Sequence, residues 1–435
     1  MSEKTASQRE EAESDPMAAE AQTTLHAWNF RGFKRVEIPL DGTIFLVGDN
    51  SSGKSSILHL ISCILRHDLE GVPFLDDDLA VGRYDYFSPY QNNRDVTFAF
   101  DKVKDGKRLG KMTTVKRVPN EVPKVMRCSY FVDGNVITLK RRGLSLVGRI
   151  SKIDEASSFD ELYELHFENK GFKEHKKSQS LELRPNDPMA AFTLYGHEHM
   201  DSLGVFDIIT LNLPLARHIA PVRGLPERFY DFKRTLTSSG KHFAVMWRDL
   251  ASEEAKLGFE HVASFGRESD LFQDIEVEPM SRKFDEAPLI VNVRKNGKLF
   301  YLNQVGVGIS QVVPILVEAI FAKSQTSRSA LLLQQPELHL HPIAQAALGT
   351  FFYKSLHREI PLIIESHSSY LIDRFRSEIR DEENYPKSNV SIFFCQNTDE
   401  GNYCHKINVD SEGRLIDAPD GYFSFFVEEM QRTFL

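Results

Sequence analysis

The sequence contains little cysteine, with four residues in a chain of 435. Cys63, Cys128, Cys395 and Cys404 lack C-x-x-C spacing and do not form the dense pattern of a small disulfide scaffold. A chain of this length buries enough apolar surface to fold without such cross-links. We therefore expect reduced thiols, no structural zinc site and a cytoplasmic protein.

Long hydrophobic runs are also lacking. The longest apolar stretch, near residues 312–322, contains Pro314 and Glu318 and is expected to be too short to span a bilayer. Residues 1–22 are polar, rich in Glu and Ala, and have no apolar core of the kind found in secretory signals. The sequence therefore predicts a disordered tail over residues 1–22 and no association with a membrane.

The sequence also lacks an excess of positive charge. Lys and Arg total 53 against 62 Asp and Glu, which gives a formal net charge of −9. This net charge excludes a surface that is positive throughout for binding nucleic acid, but it does not exclude a local basic groove. Hydrophobic residues make up 41% and charged residues 26%, the usage of an ordinary globular protein. The length allows about two to three domains, or one large core with insertions.

The order of apolar patterns predicts an α/β fold. Residues 43–47 form a short apolar run of the buried-strand kind, and residues 95–142 form alternating runs typical of an antiparallel meander. The last third alternates helix and strand patterns, which favours an α/β layer. We predict a first lobe over residues 23–150, a mainly helical insertion over 151–285 and a second lobe over 286–435.

The strand at residues 43–47 leads into a glycine loop and then a helix pattern. The loop fits G-x-x-x-x-G-K-[ST], in which backbone N–H groups cradle phosphates, Lys54 reaches the β and γ phosphates and the Ser55 hydroxyl ligates Mg²⁺. A plain glycine-serine turn is the alternative, and the strand and helix around the loop argue against it. The predicted nucleotide-binding residues here are Gly48, Asn50, Ser51, Ser52, Gly53, Lys54, Ser55 and Ser56.

Three later segments, at residues 303–311, 331–342 and 362–368, follow in a fixed order. With the loop, they resemble the ABC-type P-loop ATPases of the RecF/SMC/OLD branch. The strongest resemblance is to bacterial AAA-family ATPases related to OLD proteins, such as the ATPase subunits of the anti-phage systems Septu and PARIS. Residues 29–33, 220–230 and 412–423 are also similar, whereas residues 143–205 carry no familiar motif. The resemblance implies an ABC-type ATPase head with an antiparallel β subdomain and a helical insertion.

The resemblance also implies roles for these segments. Gly306, Gly308, Ser310 and Gln311 are similar to the signature motif, which contacts the γ-phosphate held by the opposite protomer, and Ser310 is expected at the helix N-cap. A homo-oligomer built from ATP-sandwich dimers, with ATP and Mg²⁺ as cofactors, is therefore implied. Taken alone, the two glycines also fit a plain turn before a helix.

His367 follows an apolar strand and resembles the switch histidine that senses the γ-phosphate, although a satisfied buried histidine fits the same position. His339 and His341 form an H-x-H pair, but without a third ligand nearby in sequence we expect no metal site there.

The strand-end pair departs from the ABC pattern. Where ABC-type ATPases have Asp-Glu, this sequence has Gln334 and Gln335, and amides neither attract Mg²⁺ as charges nor accept a proton. Glu337 is the best candidate for the general base, with capping of the following helix as the alternative. Glu365 lies beside the switch region. We therefore predict a slow ATPase whose catalytic residues are Glu337, His367, Gln334 and Gln335.

Basic residues cluster within residues 102–152. DNA binding along the meander is one interpretation, and a solvated hairpin face or docking of an acidic partner is another.

The leading functional hypothesis is an ATP-dependent sensor or regulator that controls a separate effector, a nuclease or toxin, in phage defence. No acidic nuclease motif of the kind carried by OLD nucleases is visible in the sequence. The alternatives are a RecF-like ATPase that clamps DNA in repair or recombination, and an ATP-binding scaffold without turnover.

Overall fold

A computed structural model of the chain describes residues 22–66, 95–104, 107–116, 124–132, 134–142, 145–153, 158–171, 173–174, 214–221, 223–231, 242–250, 255–281, 283, 287–325, 329–382 and 389–426. The predicted tail therefore lies outside these residues except for Gln22, as do Asp105, Gly106 and Asp133 of the two predicted meander turns.

The strands, numbered in chain order, are β1 Gln22–Phe30, β2 Phe33–Pro39, β3 Thr43–Gly48, β4 Val96–Lys104, β5 Lys107–Lys116, β6 Lys124–Val132, β7 Asn135–Arg142, β8 Ser145–Lys152, β9 Lys173–Glu174, β10 Leu215–Ile219, β11 Asp274–Pro279, β12 Leu289–Lys295, β13 Lys298–Tyr301, β14 Ser329–Gln334, β15 Leu362–Glu365, β16 Val390–Thr398, β17 Gly401–Val409 and β18 Leu415–Ile416. The helices are α1 Lys54–Arg66, α2 Phe159–Phe167, α3 Phe243–Asp249, α4 Ala255–Glu268, α5 Val307–Ser324, α6 Pro342–Leu356 and α7 Ser369–Asp381.

A run of parallel strands, in the order β10-β14-β15-β3-β16, forms the centre of the main sheet. Strands β3, β14 and β15 are buried along their whole length, which explains why they read as continuous apolar runs rather than alternating ones. Their carboxyl ends meet at one edge, where the glycine loop follows β3.

Two hydrophobic clusters cover the opposite faces of this parallel region. Phe45 and Val47 of β3 belong to the cluster that contains α5, α6 and α7. Ile44 and Leu46 point to the other face and pack in the cluster that contains α1. Because neighbouring side chains of a strand alternate between faces, β3 is held from both sides and the loop after it has a fixed starting point.

From β16 the sheet continues through β17, β2, β1 and β4 to β9, and its neighbouring strands are antiparallel except for the parallel pairing of β17 with β2. Strands β4 to β8 pair consecutively, as the predicted meander requires. A separate three-stranded antiparallel sheet contains β11, β12 and β13. Its predicted Asn296-Gly297 turn is confirmed, since both residues have positive φ, 50° and 72°, as a type I′ hairpin demands.

The predicted α/β fold class is confirmed by this mixed sheet with helices on both faces of its parallel region. The lobe boundaries at residues 150 and 285 stay a prediction. Within the predicted insertion, α2, α3 and α4 are helical, whereas β10 pairs with β14 in the main sheet. Residues 215–219 therefore form part of the main sheet.

The expectation of reduced thiols is wrong for one pair. Cys395 of β16 and Cys404 of β17 form a disulfide, while Cys128 is free and buried. The two residues are nine positions apart and stand directly opposite each other in the β16–β17 hairpin. Side chains at directly paired positions lie close together, so the hairpin register brings the two sulfurs into contact.

The apolar stretch near residues 312–322 is longer than expected. It lies within α5, an 18-residue helix that is long and apolar enough to cross a bilayer, but 78% of it is buried inside the protein. Its Glu318 carboxylate accepts hydrogen bonds from Arg217 at 2.7 Å and from the His242 ring at 3.0 Å. α5 is therefore an apolar core helix, and the charge of its buried Glu318 is paired inside the protein.

Candidate nucleotide-binding site

The glycine loop between β3 and α1 needs both of its motif glycines. Gly48 has φ of 128°, and a Cβ there would lie 1.9 Å from the carbonyl oxygen of Cys395. Gly53 has φ of 96°, and a Cβ there would lie 2.4 Å from the ring of Phe33. The positive φ values and the close neighbours exclude any larger residue at either end of the loop.

Lys54 is the first residue of α1 and is buried against the loop. Its Nζ donates hydrogen bonds to the carbonyl oxygens of Gly48 at 2.9 Å and Asp49 at 2.6 Å. Burial lowers the pKa of Lys54, and the Glu365 and Asp49 carboxylates partly oppose that change. The ammonium group is therefore held over the curled loop, where it can meet a phosphate.

The remaining loop residues differ in exposure. Asn50 and Ser51 are exposed, Ser52 is fully buried, and Ser56 accepts a hydrogen bond from the Arg31 guanidinium at 2.9 Å. Arg31 lies in the β1–β2 turn and has φ of 48°. The structure thus places a cation from residues 29–33 beside the predicted phosphate loop.

A carboxylate that the sequence argument left without a role lies at the edge of this loop. The Ser55 hydroxyl donates to Oε1 of Glu365 at 2.9 Å, and the Gln334 amide nitrogen lies 3.3 Å from Oε2 of the same residue. Glu365 ends β15 and is paired in register with Gln334 of β14. Parallel strands end at a common edge of a sheet. Applied to residues 334 and 365, this rule would predict the Gln334–Glu365 contact from the sequence.

The oxygen atoms gathered here fit Mg²⁺. The ion prefers hard oxygen ligands and is held by one or two carboxylates together with substrate phosphates. Ser55, Glu365 and Gln334 provide a hydroxyl, a carboxylate and an amide within one hydrogen-bonded group. The predicted Ser55 ligand therefore has a charged neighbour, although that neighbour is not the residue at the ABC strand-end position.

Glu337 is buried in the turn after β14, residues 335–341, and contacts the switch segment, residues 366–368. Its Oε1 accepts hydrogen bonds from the Ser366 hydroxyl at 2.9 Å and from the His367 backbone N–H at 2.7 Å. Burial raises the pKa of Glu337 above its ordinary value, despite these donors and the nearby Arg223 charge. Within the described part of the chain, Oε2 has no hydrogen-bond partner.

These contacts bring the predicted residues Glu337 and His367 together. They also remove the helix-capping alternative for Glu337, because α6 has His341 at its N-cap and Pro342 at its first position. Gln335 has φ of 42°, and its backbone N–H donates to the Glu365 carbonyl at 2.8 Å. The turn is therefore fixed at two points, to the end of β15 through Gln335 and to the residues after β15 through Glu337.

Arg223 is a buried residue near this turn that the sequence argument did not single out. Its Nη2 donates to the carbonyl oxygen of Gln335 at 3.3 Å, and burial lowers its pKa to about 10. The next residue, Gly224, accepts a hydrogen bond from the Gln311 side chain of α5 at 3.4 Å. The segment 223–230 thus lies between the turn after β14 and the signature helix.

The signature segment begins α5, but the expectation for Ser310 is wrong. Gly306 is the N-cap, and Ser310 is buried inside the helix with its hydroxyl bonded to the Val307 carbonyl at 3.0 Å. A Cβ at Gly308 would lie 2.9 Å from the His339 carbonyl oxygen, so the glycine permits close packing on the turn after β14. Gly306 and Val307 are exposed and present the start of the helix to solvent.

The two histidines of the H-x-H pair are both exposed, and His339 has φ of 68°. Among the residues that the structure describes, no group of three or more His, Cys, Asp or Glu residues is placed to hold a metal ion.

Two basic residues of the stretch 102–152 donate to polar groups at the end of α2. Arg149 is buried and donates to Glu168 at 2.8 Å, and Lys140 donates to Asn169 at 2.6 Å. These bonds fix the end of α2 on the meander. Exposed basic side chains that the structure describes in this stretch include Lys116 and Lys152.

Comparison with known protein families identifies the domain. The model of a family described as "AAA domain, putative AbiEii toxin, Type IV TA system", where TA stands for toxin–antitoxin, matches residues 44–373. This span covers most of the chain and includes the glycine loop, the turn after β14 and the switch segment. The chain belongs to this AAA domain family. The predicted nucleotide-binding ATPase class is thereby confirmed at the level of the family.

Solved structures similar to this AAA domain include heads of SMC proteins. An SMC head bound to the C-terminal winged-helix domain of ScpA is 10% identical, with a TM-score of 0.48, over 89% of this chain and 98% of that one. The SMC head domain from Thermotoga maritima is 11% identical, with a TM-score of 0.40, over 89% and 99%. A Pyrococcus furiosus head with an extended coiled coil is 11% identical, with a TM-score of 0.42, over 94% and 99%.

At these identities and TM-scores, the similarities establish neither a shared function nor shared partners. No curated protein matches this chain.

Proposed function

We propose that this chain is an ATP-binding regulator subunit that controls a separate effector, a nuclease or toxin, in anti-phage defence in the cytoplasm. The observation that carries the proposal is the gathering of Lys54, Ser55, Gln334 and Glu365 at one sheet edge, with Glu337 held against the switch segment. The description of the family by a toxin of a type IV TA system supports a role in a system of more than one component.

Binding of ATP follows from the loop and the helix after it. Backbone N–H groups of the glycine loop and the N-terminus of α1 favour an anion, and Lys54 adds a positive charge for the terminal phosphates. The Ser55 hydroxyl, with the Glu365 carboxylate beside it, would ligate a magnesium ion bound with ATP. Bound Mg²⁺ neutralises phosphate charge.

Hydrolysis in this proposal depends on Glu337. A carboxylate whose pKa is raised accepts a proton from the attacking water more readily than an ordinary one. The Ser366 hydroxyl and the His367 N–H fix one of its oxygens, which leaves Oε2 as the proton acceptor. Gln334 and Gln335 cannot take this role, because amides are not bases, so turnover is slow.

A second copy of the chain completes the site in this proposal. The exposed start of α5, with Gly306 and Val307, offers backbone N–H groups and a helix N-terminus to a phosphate. In this proposal the effector responds to closure of the dimer on ATP and not to rapid hydrolysis.

The test is a pull-down from the native host with and without ATP, comparing wild type with Lys54→Ala. The matched control is Lys354→Ala, which removes an exposed lysine in the last turn of α6 that is paired with Glu378. We expect wild type and the control to change their bound effector with ATP, and Lys54→Ala to lose that response. An effector that stays bound, or never binds, whatever the nucleotide and whatever stands at residue 54 would contradict the regulator function.

A parallel assay of ATP turnover distinguishes the proposed slow ATPase from an ATP-binding scaffold without turnover. Measurable phosphate release that disappears in Lys54→Ala supports the slow ATPase. Intact ATP binding with no release would identify a scaffold without turnover.

A further inference from the structure

The strand-end residue of β14 is an amide, but the strand beside it ends in a buried carboxylate. Gln334 and Glu365 stand opposite each other in the parallel β14–β15 pair, and both side chains are at least nine-tenths buried. We infer that Glu365 supplies the carboxylate of the magnesium site, in place of the charge that Gln334 lacks. This inference rests on the proposed ATP binding and names the metal ligand of that same site.

The geometry places Glu365 where the phosphate loop and the strand ends meet. Oε1 is 2.9 Å from the Ser55 hydroxyl, which is the metal-binding hydroxyl of the loop motif. Oε2 is 3.3 Å from the Gln334 amide nitrogen, so Ser55 and Gln334 hold the carboxylate between them. Gln334 therefore acts as a positioning residue, because its amide fixes the carboxylate that it cannot itself provide.

The charges around Glu365 favour binding of a cation that the protein itself does not supply. A carboxylate buried to this extent is costly unless it is paired, and the two hydrogen bonds to Glu365 come from neutral groups. The Lys54 charge acts on Glu365 from a distance, but its ammonium donates to the loop carbonyls of Gly48 and Asp49 instead. A divalent cation beside Ser55 would give Glu365 a direct partner.

A purely structural role for Glu365 makes a different prediction from a metal role. A structural carboxylate would support the loop whether or not a metal is present. A metal ligand would alter the metal dependence of nucleotide binding and leave metal-free nucleotide binding intact. The two roles therefore separate in a binding experiment that does not measure turnover.

The test uses the full chain with a non-hydrolysable ATP analogue and Mn²⁺ as the metal probe. Free Mn²⁺ is read from its EPR signal, and analogue affinity is measured separately in EDTA. We expect Glu365→Gln to weaken Mn²⁺ binding to the protein–analogue complex by about 10- to 100-fold. Analogue affinity in EDTA is expected to stay at the wild-type value, which also shows that the variant is folded.

Two further variants sharpen the test. Exchanging the paired side chains, Gln334→Glu together with Glu365→Gln, returns one carboxylate to the same pair of positions and is expected to recover Mn²⁺ binding. Glu359→Gln is the matched control, because Glu359 is an exposed residue paired with Lys323 and precedes the opposite end of β15. It is expected to bind Mn²⁺ as wild type does.

The outcomes distinguish this inference from the proposed function. Wild-type Mn²⁺ affinity in Glu365→Gln, with analogue still bound, would overturn the metal assignment and leave ATP binding standing. Loss of analogue binding in EDTA as well would assign Glu365 a structural role and also overturn it. No analogue binding by wild type in either condition would overturn the proposed ATP binding itself.

Discussion

At the scale of single residues, Glu337 combines a cost to stability with a proposed catalytic use. Its folded-state pKa is raised by burial, so between the unfolded and folded pKa values the folded state binds more protons than the unfolded chain. The stability that this carboxyl contributes is therefore present below its unfolded pKa and lost as the pH rises through the folded value. Above that value the buried negative charge opposes folding.

Glu337→Gln keeps the shape and an oxygen acceptor for Ser366 and His367 but removes this charge. We expect ATP turnover to fall by about 100-fold or more, because the proton acceptor is gone. We also expect the melting temperature at pH 8 to rise by about 2 °C, with no gain at pH 4. Thermal unfolding at both pH values and a phosphate-release assay check this, and a variant less stable than wild type at pH 8 would contradict the argument.

At the scale of elements, the segment 223–230 connects the turn after β14 with the signature helix. Arg223 bonds the Gln335 carbonyl, and Gly224 accepts from Gln311 of α5. We expect Arg223→Lys to lower turnover by about tenfold while ATP affinity changes little, because a lysine ammonium does not reproduce the position of the Nη2 donor that bonds this turn. Arg228→Lys, at an exposed position of the same segment, is the control. Equal turnover in the two variants would show that the segment does not position the turn.

Elements also differ in how far the sequence could predict them. The glycine loop is a local pattern, with its strand, glycines and helix contiguous, so Lys54 and Ser55 were found directly. The sequence shows Glu365 only as a neighbour of the switch segment, because its contact with Ser55 depends on the order of strands in the sheet and not on spacing along the chain. The Cys395–Cys404 disulfide likewise depends on hairpin register. Ser310 was misplaced by three to four residues because α5 begins at the glycine instead of at the hydroxyl.

At the scale of the whole molecule, the proposed composite site predicts complementation between two defective chains. Lys54→Ala removes the phosphate-binding cation of one protomer. Val307→Asp places a negative charge at the exposed start of α5, where it suits the helix N-terminus but repels the phosphate of a partner. Each variant alone is expected to be inactive in turnover, since every site in its dimer carries one defect.

Mixing the two variants places both defects in one of the two sites of each mixed dimer and leaves the other site intact. With random pairing and independent sites, the mixture is expected to recover about a quarter of the wild-type turnover per chain. Val307→Asn, which adds no charge, controls for the change of side chain and is expected to keep most activity. Mixed chains as inactive as the separate variants, with mixed dimers present by mass spectrometry, would contradict a site shared between two protomers. Full activity of Val307→Asp alone would place the start of α5 outside the site.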